Sequence, residues 1–206
     1  MSAMLSTMMN TPLGVSTLHR FGARHFGSSR VGDYDGERIH WRTYGEIDAG
    51  SAQLANALKT LGLRDGDRVG TFMWNSTRHL EAYLAVPSMG GVLHTLNCRL
   101  SAEHVAYIIN HAGDRFLIID GRLLDSFLPI LPLIPNVECL IVTETGHDMA
   151  ASLNDPRMVS YEDIVAEAEA GFSWPEPAEN SAAGICYTSG TTGNPKGVAY
   201  SQKTTY

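Results

Sequence analysis

The chain is expected to fold as an α/β domain, with a largely parallel sheet flanked by helices. Three features of the sequence predict this. Segments with helical spacing of apolar residues alternate with short apolar runs, an order that requires crossover connections between parallel strands. Phe116, Leu117, Ile118 and Ile119 are apolar on both faces, as strands covered on both sides are. The apolar run 182–187 opens directly into a loop of glycines and hydroxyls. In such sheets, ligands gather at the carboxyl ends of strands.

Each element has its own warrant. Residues 1–17 are rich in Met, Ser and Thr and are expected to form a mobile arm ahead of a domain spanning 18–206. Leu18, Phe21, Ala23 and Phe26 predict a short helix. Asp35 and Gly36, between runs 31–34 and 38–41, mark a hairpin turn. Thr43 and Glu46 have the spacing of a capping box ahead of Ile47, Leu54, Leu58 and Leu61, and Gly62 is the stop. That cap accounts for both polar residues without a ligand. Asp65, Gly66 and Asp67 turn into a strand over 69–73. Ser76 then starts a helix carrying Leu80, Tyr83 and Leu84, which Pro87 bends or ends.

A strand over 92–95 follows. Ser101 opens a helix with Val105, Ile108, Ile109 and Ala112 on one face and Gly113 at its end. After the strand 116–120, a proline-punctuated helix leads to a strand over 139–143. Ser160 caps a last helix holding Ile164, Val165 and Ala168. Residues 172–180, with Pro175 and Pro177, form a surface connection to the strand 182–187. A helix is expected beyond the loop that follows.

Composition removes several classes of function. Hydrophobic residues make up 44% and charged residues 18%, which argues for a packed core and against disorder. Fifteen Lys and Arg against 22 Asp and Glu leave a net charge of −7, opposing general affinity for nucleic acid or anionic lipid. Cys98, Cys139 and Cys186 lie far apart with no C-x-x-C spacing, so neither a disulfide framework nor a zinc site is expected and a reducing cytoplasm fits. His104 and His111, and His19 and His25, have the wrong spacing for helical metal pairs, and no metal site is expected. Trp41, Trp74 and Trp174 are dispersed and offer no base-stacking platform. The start of the chain lacks the charge and the apolar run of a secretory signal. The greasiest stretch, 123–134, is too short to span a bilayer and holds Pro129 and Pro132.

The loop is the centre of the chemistry. Tyr187, Thr188, Ser189, Gly190, Thr191, Thr192, Gly193, Asn194, Pro195, Lys196 and Gly197 join hydroxyls, glycines and one lysine in a single run. Glycines let backbone N–H groups turn toward a bound anion, hydroxyls add donors, and an ammonium group suits phosphate. A flexible Gly/Ser/Thr linker is the alternative, but linkers rarely follow a buried strand directly or end on a fixed Pro-Lys-Gly. The G-x-x-x-x-G-K-[ST] loop of other nucleotide enzymes does not match, because Pro195 precedes Lys196 and Gly197 follows it.

Residues 187–198 resemble the phosphate-loop signature of the adenylate-forming superfamily. This comprises acyl- and aryl-CoA synthetases, peptide-synthetase adenylation domains and luciferases. Three further stretches agree: Gly90, Gly91, Val92, Leu93, His94, Thr95, Leu96 and Asn97 with Arg99 and Leu100; Tyr107, Ile108, Ile109, Asn110, His111 and Ala112; and Thr43, Tyr44, Gly45, Glu46 and Ile47. The first two resemble the fatty-acyl-CoA ligase branch. The resemblance runs from about Leu18 onward.

It implies the N-terminal part of the large adenylation domain of a medium- or long-chain fatty-acid ligase. Such an enzyme uses ATP, Mg²⁺ and coenzyme A to turn a carboxylic acid into its adenylate and then its thioester. By the resemblance, Thr188, Ser189, Gly190, Thr191, Thr192 and Gly193 wrap the phosphates and Lys196 pairs with the terminal ones. The downstream adenylation motifs and the small C-terminal domain with its catalytic lysine have no counterpart, so no catalytic residue is expected in this chain and it is expected to be inactive alone. A ligase for another small acid (methylthio-propionate-like or aryl) and a non-catalytic nucleotide-binding module stay open. So do a homodimer and a cytoplasmic enzyme peripheral to a membrane. His94 is expected to be a hydrogen-bonded structural residue, with Asn97 fixing a turn and Arg99 a surface ion pair. The family's Tyr-Ser-His run reads Tyr200, Ser201, Gln202 here.

Overall fold

Helices and strands alternate through a computed structural model that describes residues 6–8, 11–143, 147–188 and 194–206. Helix α1 (Val15–Phe26) leads to a hairpin of β1 (Arg30–Tyr34) and β2 (Ile39–Thr43), followed by α2 (Tyr44–Thr60). Then come β3 (Arg68–Phe72), α3 (Thr77–Ser88), β4 (Val92–Thr95), α4 (Ala102–Ala112), β5 (Asp114–Ile119) and α5 (Leu124–Phe127). The chain continues through β6 (Cys139–Val142), α6 (His147–Leu153), β7 (Met158–Ser160) and α7 (Tyr161–Ala166). It closes with β8 (Ala182–Thr188), β9 (Lys196–Ser201) and α8 (Gln202–Thr205). Seven strands form one sheet in the order β7-β6-β5-β3-β4-β8-β9. Every neighbouring pair is parallel except β8 with β9. The largely parallel α/β sheet expected from the sequence is present.

Local chemistry sets the helix ends. Glu46 N donates to Thr43 Oγ1 at 3.2 Å and Thr43 N donates to Glu46 Oε2 at 2.6 Å, which closes the capping box of α2. A cap of this kind contributes about 1 kcal/mol. Ser76, Ser101 and Ser160 cap α3, α4 and α7 more simply, each hydroxyl accepting from the backbone N–H three residues on. Gly113 ends α4 in the left-handed region at φ 69°, where a side chain would also meet Arg68 Nη2. The Arg68 guanidinium donates to the carbonyls of Ala112 and Gly113, satisfying the last turn of α4.

Two apolar layers cover the sheet. On one face Leu54, Leu58, Ala82, Val86 and Tyr161 pack on Val69, Phe116, Ile118 and Ile141. On the other, Val105, Ile109, Leu124 and Phe127 pack on Phe72, Leu117, Ile119 and Leu140. Each fully buried Leu, Ile or Phe contributes roughly 2 kcal/mol from area removed from water. The alternation of 116 and 118 with 117 and 119 explains why this strand reads as apolar throughout. Within the first layer, Glu81 is fully buried beside α2. Its carboxylate accepts from Arg42 Nη1 at 2.5 Å, Tyr161 Oη at 2.8 Å and Arg78 Nη1 at 3.3 Å. A Cβ at Gly50 would occupy the place of Glu81 Oε1.

Several expectations are corrected. Helix α1 starts at Val15, before the Leu18 expected to open it, and buries Val15, Ser16 and His19 while Leu18, Phe21 and Phe26 face solvent. Polar anchors decide its docking: Leu13 N donates to Glu179 Oε1, and His19 Nε2 lies 3.0 Å from Asp48. Helix α3 buries Ala82, Ala85 and Val86 and leaves Tyr83 exposed, with Pro87 inside its last turn. Residues 121–133 form 3₁₀ turns around the short α5, because Pro129 and Pro132 cannot donate to a longer helix. Strand β7 and helix α6 were not anticipated. The loop after β8 returns as strand β9, with a helix only at α8: Val198 and Tyr200 alternate as strand residues do, and β8 offers them a free edge.

Candidate functional site

Strand β8 lies between β4 and β9 near one end of the sheet. Leu93 aligns with Gly184, His94 with Ile185 and Thr95 with Cys186, so the carboxyl ends of β4 and β8 stand side by side. Thr188 is the last residue of β8 and pairs across the ladder with Lys196, the first of β9. Ser189, Gly190, Thr191, Thr192 and Gly193, named above as phosphate-binding candidates, lie outside the described residues. The structure places the remaining two, Thr188 and Lys196, as direct cross-strand neighbours. Lys196 therefore begins a strand, where the sequence had suggested a loop. Its ammonium is exposed and has no ion pair among the described residues, which leaves it available to an anion.

A cavity of about 760 Å³ opens at these strand ends. Leu96, Leu100 and Ile108 supply an apolar floor, while Asn97, His104 and Thr188 supply polar groups and Pro195 borders the far side. Asn97 Oδ1 accepts from Arg99 N at 3.0 Å, fixing the turn after β4 as expected. Arg99 makes no ion pair among the described residues; its guanidinium lies over the Trp74 ring, 5.9 Å from the centroid. Among the described residues there is no group of three or more His, Cys, Asp and Glu side chains that could hold a metal ion.

Beneath the cavity lies a buried polar pair. His94 Nδ1 is 2.8 Å from Asp114 Oδ2, and both side chains are fully shielded from solvent. Burial pushes the Asp114 carboxyl above its usual range, opposed by His94 and Arg68. The two residues meet across β3 because Gly70 stands between them; a Cβ there would lie 2.9 Å from Asp114 Oδ2 and would overlap Leu117. His94 is the structural histidine expected from the sequence. Its partner was missed, although a glycine inside an apolar strand signals a close approach.

Tyr187 rests on this pair, with ring centroids 5.1 Å from His94. Its hydroxyl lies 2.6 Å from His111 Nδ1 on α4. Burial, followed by the nearby Asp114 and Tyr107, raises the phenol above its ordinary value, so the hydroxyl stays neutral. Gln202, standing where the family pattern has His, points away from the cavity. It is fully buried; its Oε1 accepts from Val15 N at 3.0 Å and its Nε2 donates to the Pro87 carbonyl at 2.9 Å. Its role is to join α1, α3 and α8.

A doubly wound sheet with a cavity at the carboxyl ends of its strands is the arrangement in which open α/β sheets bind ligands. The chain belongs to the AMP-binding enzyme family, whose profile matches residues 23–206. It is 40% identical over 210 residues to a medium-chain-fatty-acid–CoA ligase of Ectopseudomonas oleovorans, covering 98% of this chain and 37% of that protein. A 3-methylmercaptopropionyl-CoA ligase of Ruegeria pomeroyi is 40% identical, over 98% of this chain and 38% of its own length. The chain thus spans well under half the length of these relatives. Among solved structures, the anthranilate CoA ligase AuaEII in complex with anthranoyl-AMP superposes with a TM-score of 0.82 at 20% identity, over 97% of this chain and 37% of that one. At that identity the likeness shows the fold. Among the described residues no helix is long and apolar enough to cross a membrane.

Proposed function

We propose that this chain is the phosphate-holding, N-terminal portion of an ATP-dependent acyl-CoA ligase acting on medium- or long-chain fatty acids. The observation that carries the reading is the pairing of Thr188 with an exposed Lys196, which has no ion pair among the described residues, at the carboxyl edge of the sheet. In the reaction proposed, a carboxylate oxygen bonds to the α-phosphorus of ATP as the bond to the β-phosphate breaks, releasing pyrophosphate. The thiol of coenzyme A then displaces AMP from the acyl carbon. Lys196 and Thr188, with Ser189, Gly190, Thr191, Thr192 and Gly193, would hold the β- and γ-phosphates and offset the charge growing on the leaving group. The apolar floor of Leu96, Leu100 and Ile108 gives an acyl chain a surface to enter beside those phosphates.

A second acid class is supported by the equal identity to the 3-methylmercaptopropionyl-CoA ligase, whose named substrate is short. Residues 1–206 alone are expected to bind polyphosphate without turnover. Calorimetric titration of the chain with pyrophosphate tests the site: Lys196→Ala should weaken binding about tenfold, on the scale of one charge-assisted hydrogen bond. Equal affinity in the variant would refute the role of Lys196. A chimera in which residues 1–206 replace the matching segment of the medium-chain ligase, assayed across acids, decides the substrate class. Strict preference for the short thioether acid would reject the fatty-acid reading.

A further inference from the structure

The reading above leaves unexplained why an exposed edge hairpin should hold Thr188 and Lys196 in one geometry. Strand β9 is exposed along almost its whole length, and among the described residues its outer side has no neighbouring strand. Ladder hydrogen bonds to β8 fix its register but leave its outer end free to twist. The side chain that reaches from this end into the body of the domain is that of Tyr187.

Tyr187 pairs with Gly197 across the ladder, one step in from Thr188 and Lys196. Its ring lies over Gly197, where a Cβ would stand 3.0 Å from Cε2 and Cζ of the ring. At the far end the hydroxyl is 2.6 Å from His111 Nδ1, and His111 is itself stacked on Tyr107 with centroids 5.4 Å apart. Underneath, His94 meets the ring face and is immobilised by Asp114. Strands β4 and β9 and helix α4 all bear on this one ring, with β5 holding His94 through Asp114.

We propose that Tyr187 is a positioning residue: held by His111, His94 and Gly197, it fixes Thr188 and Lys196 as a pair to receive phosphate oxygens. Its ring also lines the cavity, but the effect proposed here is exerted through Thr188 and Lys196. This rests on the polyphosphate reading of the site. A loose Lys196 must lose its freedom when the ligand binds, whereas a seated one has lost it already, and the difference is affinity.

The test is pyrophosphate affinity of the whole 206-residue chain by calorimetry, well below the melting temperature, with thermal unfolding recorded for every protein. Tyr187→Phe keeps the ring and removes the hydrogen bond; His111→Leu removes the same bond from the other side. Each should weaken binding about fivefold, the scale of one neutral hydrogen bond. The double variant should be no weaker than either single one. His111→Asn, which places an amide where Nδ1 stood, should restore most of the loss. The proposal is overturned if Tyr187→Phe binds as tightly as the parent, or if it lowers only the melting temperature. It is also overturned if His111→Asn is no better than His111→Leu. Failure of the parent chain itself to bind pyrophosphate would instead remove the polyphosphate reading and this proposal with it.

Discussion

Gln202→Ala is the most informative single change for the architecture. The Gln202 amide is fully buried and makes two hydrogen bonds to backbone groups far away in sequence, Val15 N–H and the Pro87 carbonyl. Gly14, the residue before α1, offers no side-chain cap, so Gln202 caps the first turn of that helix from a distance. Truncation leaves a buried donor and a buried acceptor unpaired, at about 1–3 kcal/mol each. Partial entry of water reduces the sum, and a net loss of about 3 kcal/mol is expected. For a chain of this length that corresponds to a fall in melting temperature of roughly 6–12 °C. Gln202→Leu separates polarity from volume, since it fills the space and still strands both groups; it should cost nearly as much as alanine. Gln202→Glu keeps an acceptor for Val15 and loses the donor to Pro87, and should fall between. Urea and thermal unfolding of the four proteins, with hydrogen exchange at the Val15 amide, measure this directly. A loss under about 0.5 kcal/mol for both Ala and Leu, the range of ordinary surface substitutions, would refute the account of α1 docking.

Three further outcomes are expected. Gly50→Ala places a methyl group on Glu81 Oε1 and must push a buried carboxylate off Arg42 and Tyr161, so it should destabilise by about 3 kcal/mol or more in urea unfolding. A neutral result would mean that the Glu81 cluster yields easily. His79, bonded to Thr71 and Trp74, and His19, beside Asp48, are both held below the ordinary imidazole value of 6.5 chiefly by burial. The unfolded chain then binds more protons than the folded one, so this stability is complete above about pH 6.5 and is lost as pH falls through the lower folded values. Unfolding free energy measured from pH 7.5 to 5 should decline, and less steeply in His79→Gln; a flat profile would contradict the assignment. Cys98 and Cys139 are raised to about 11 by burial, whereas Cys186 is exposed, so a thiol reagent at neutral pH should modify Cys186 first, read by peptide mass. Modification of Cys139 before Cys186 would show that the first apolar layer opens readily.

What could be read in advance is local. The Thr43 and Glu46 box, the serine caps and the left-handed Gly113 depend on neighbours within a few residues, so residue type and spacing suffice. The parallel strands were legible because burial on both faces leaves no polar alternation. The misread parts depend on partners distant in the chain. Which side of α1 is buried follows from Gln202, Glu179 and Asp48, none of which its own apolar pattern reveals. That Glu81 is buried follows from Arg42 and Tyr161 arriving from other elements. At the site, composition and spacing singled out the run 187–197 with its lysine, and the resemblance made Thr188 a phosphate-binding candidate. Their ladder pairing, and the support beneath Tyr187, needed the register of β8 against β9 and β4.

The single hydrogen that Gly70 presents in place of a side chain makes positions 70, 94 and 114 one unit of design. Randomising any of them alone samples only broken combinations: a larger residue at 70 evicts the acid, and an apolar residue at 94 strands it. A library intended to repack the layer under Tyr187 should vary the three together, for example by closing the gap with alanine while His94 and Asp114 both become aliphatic.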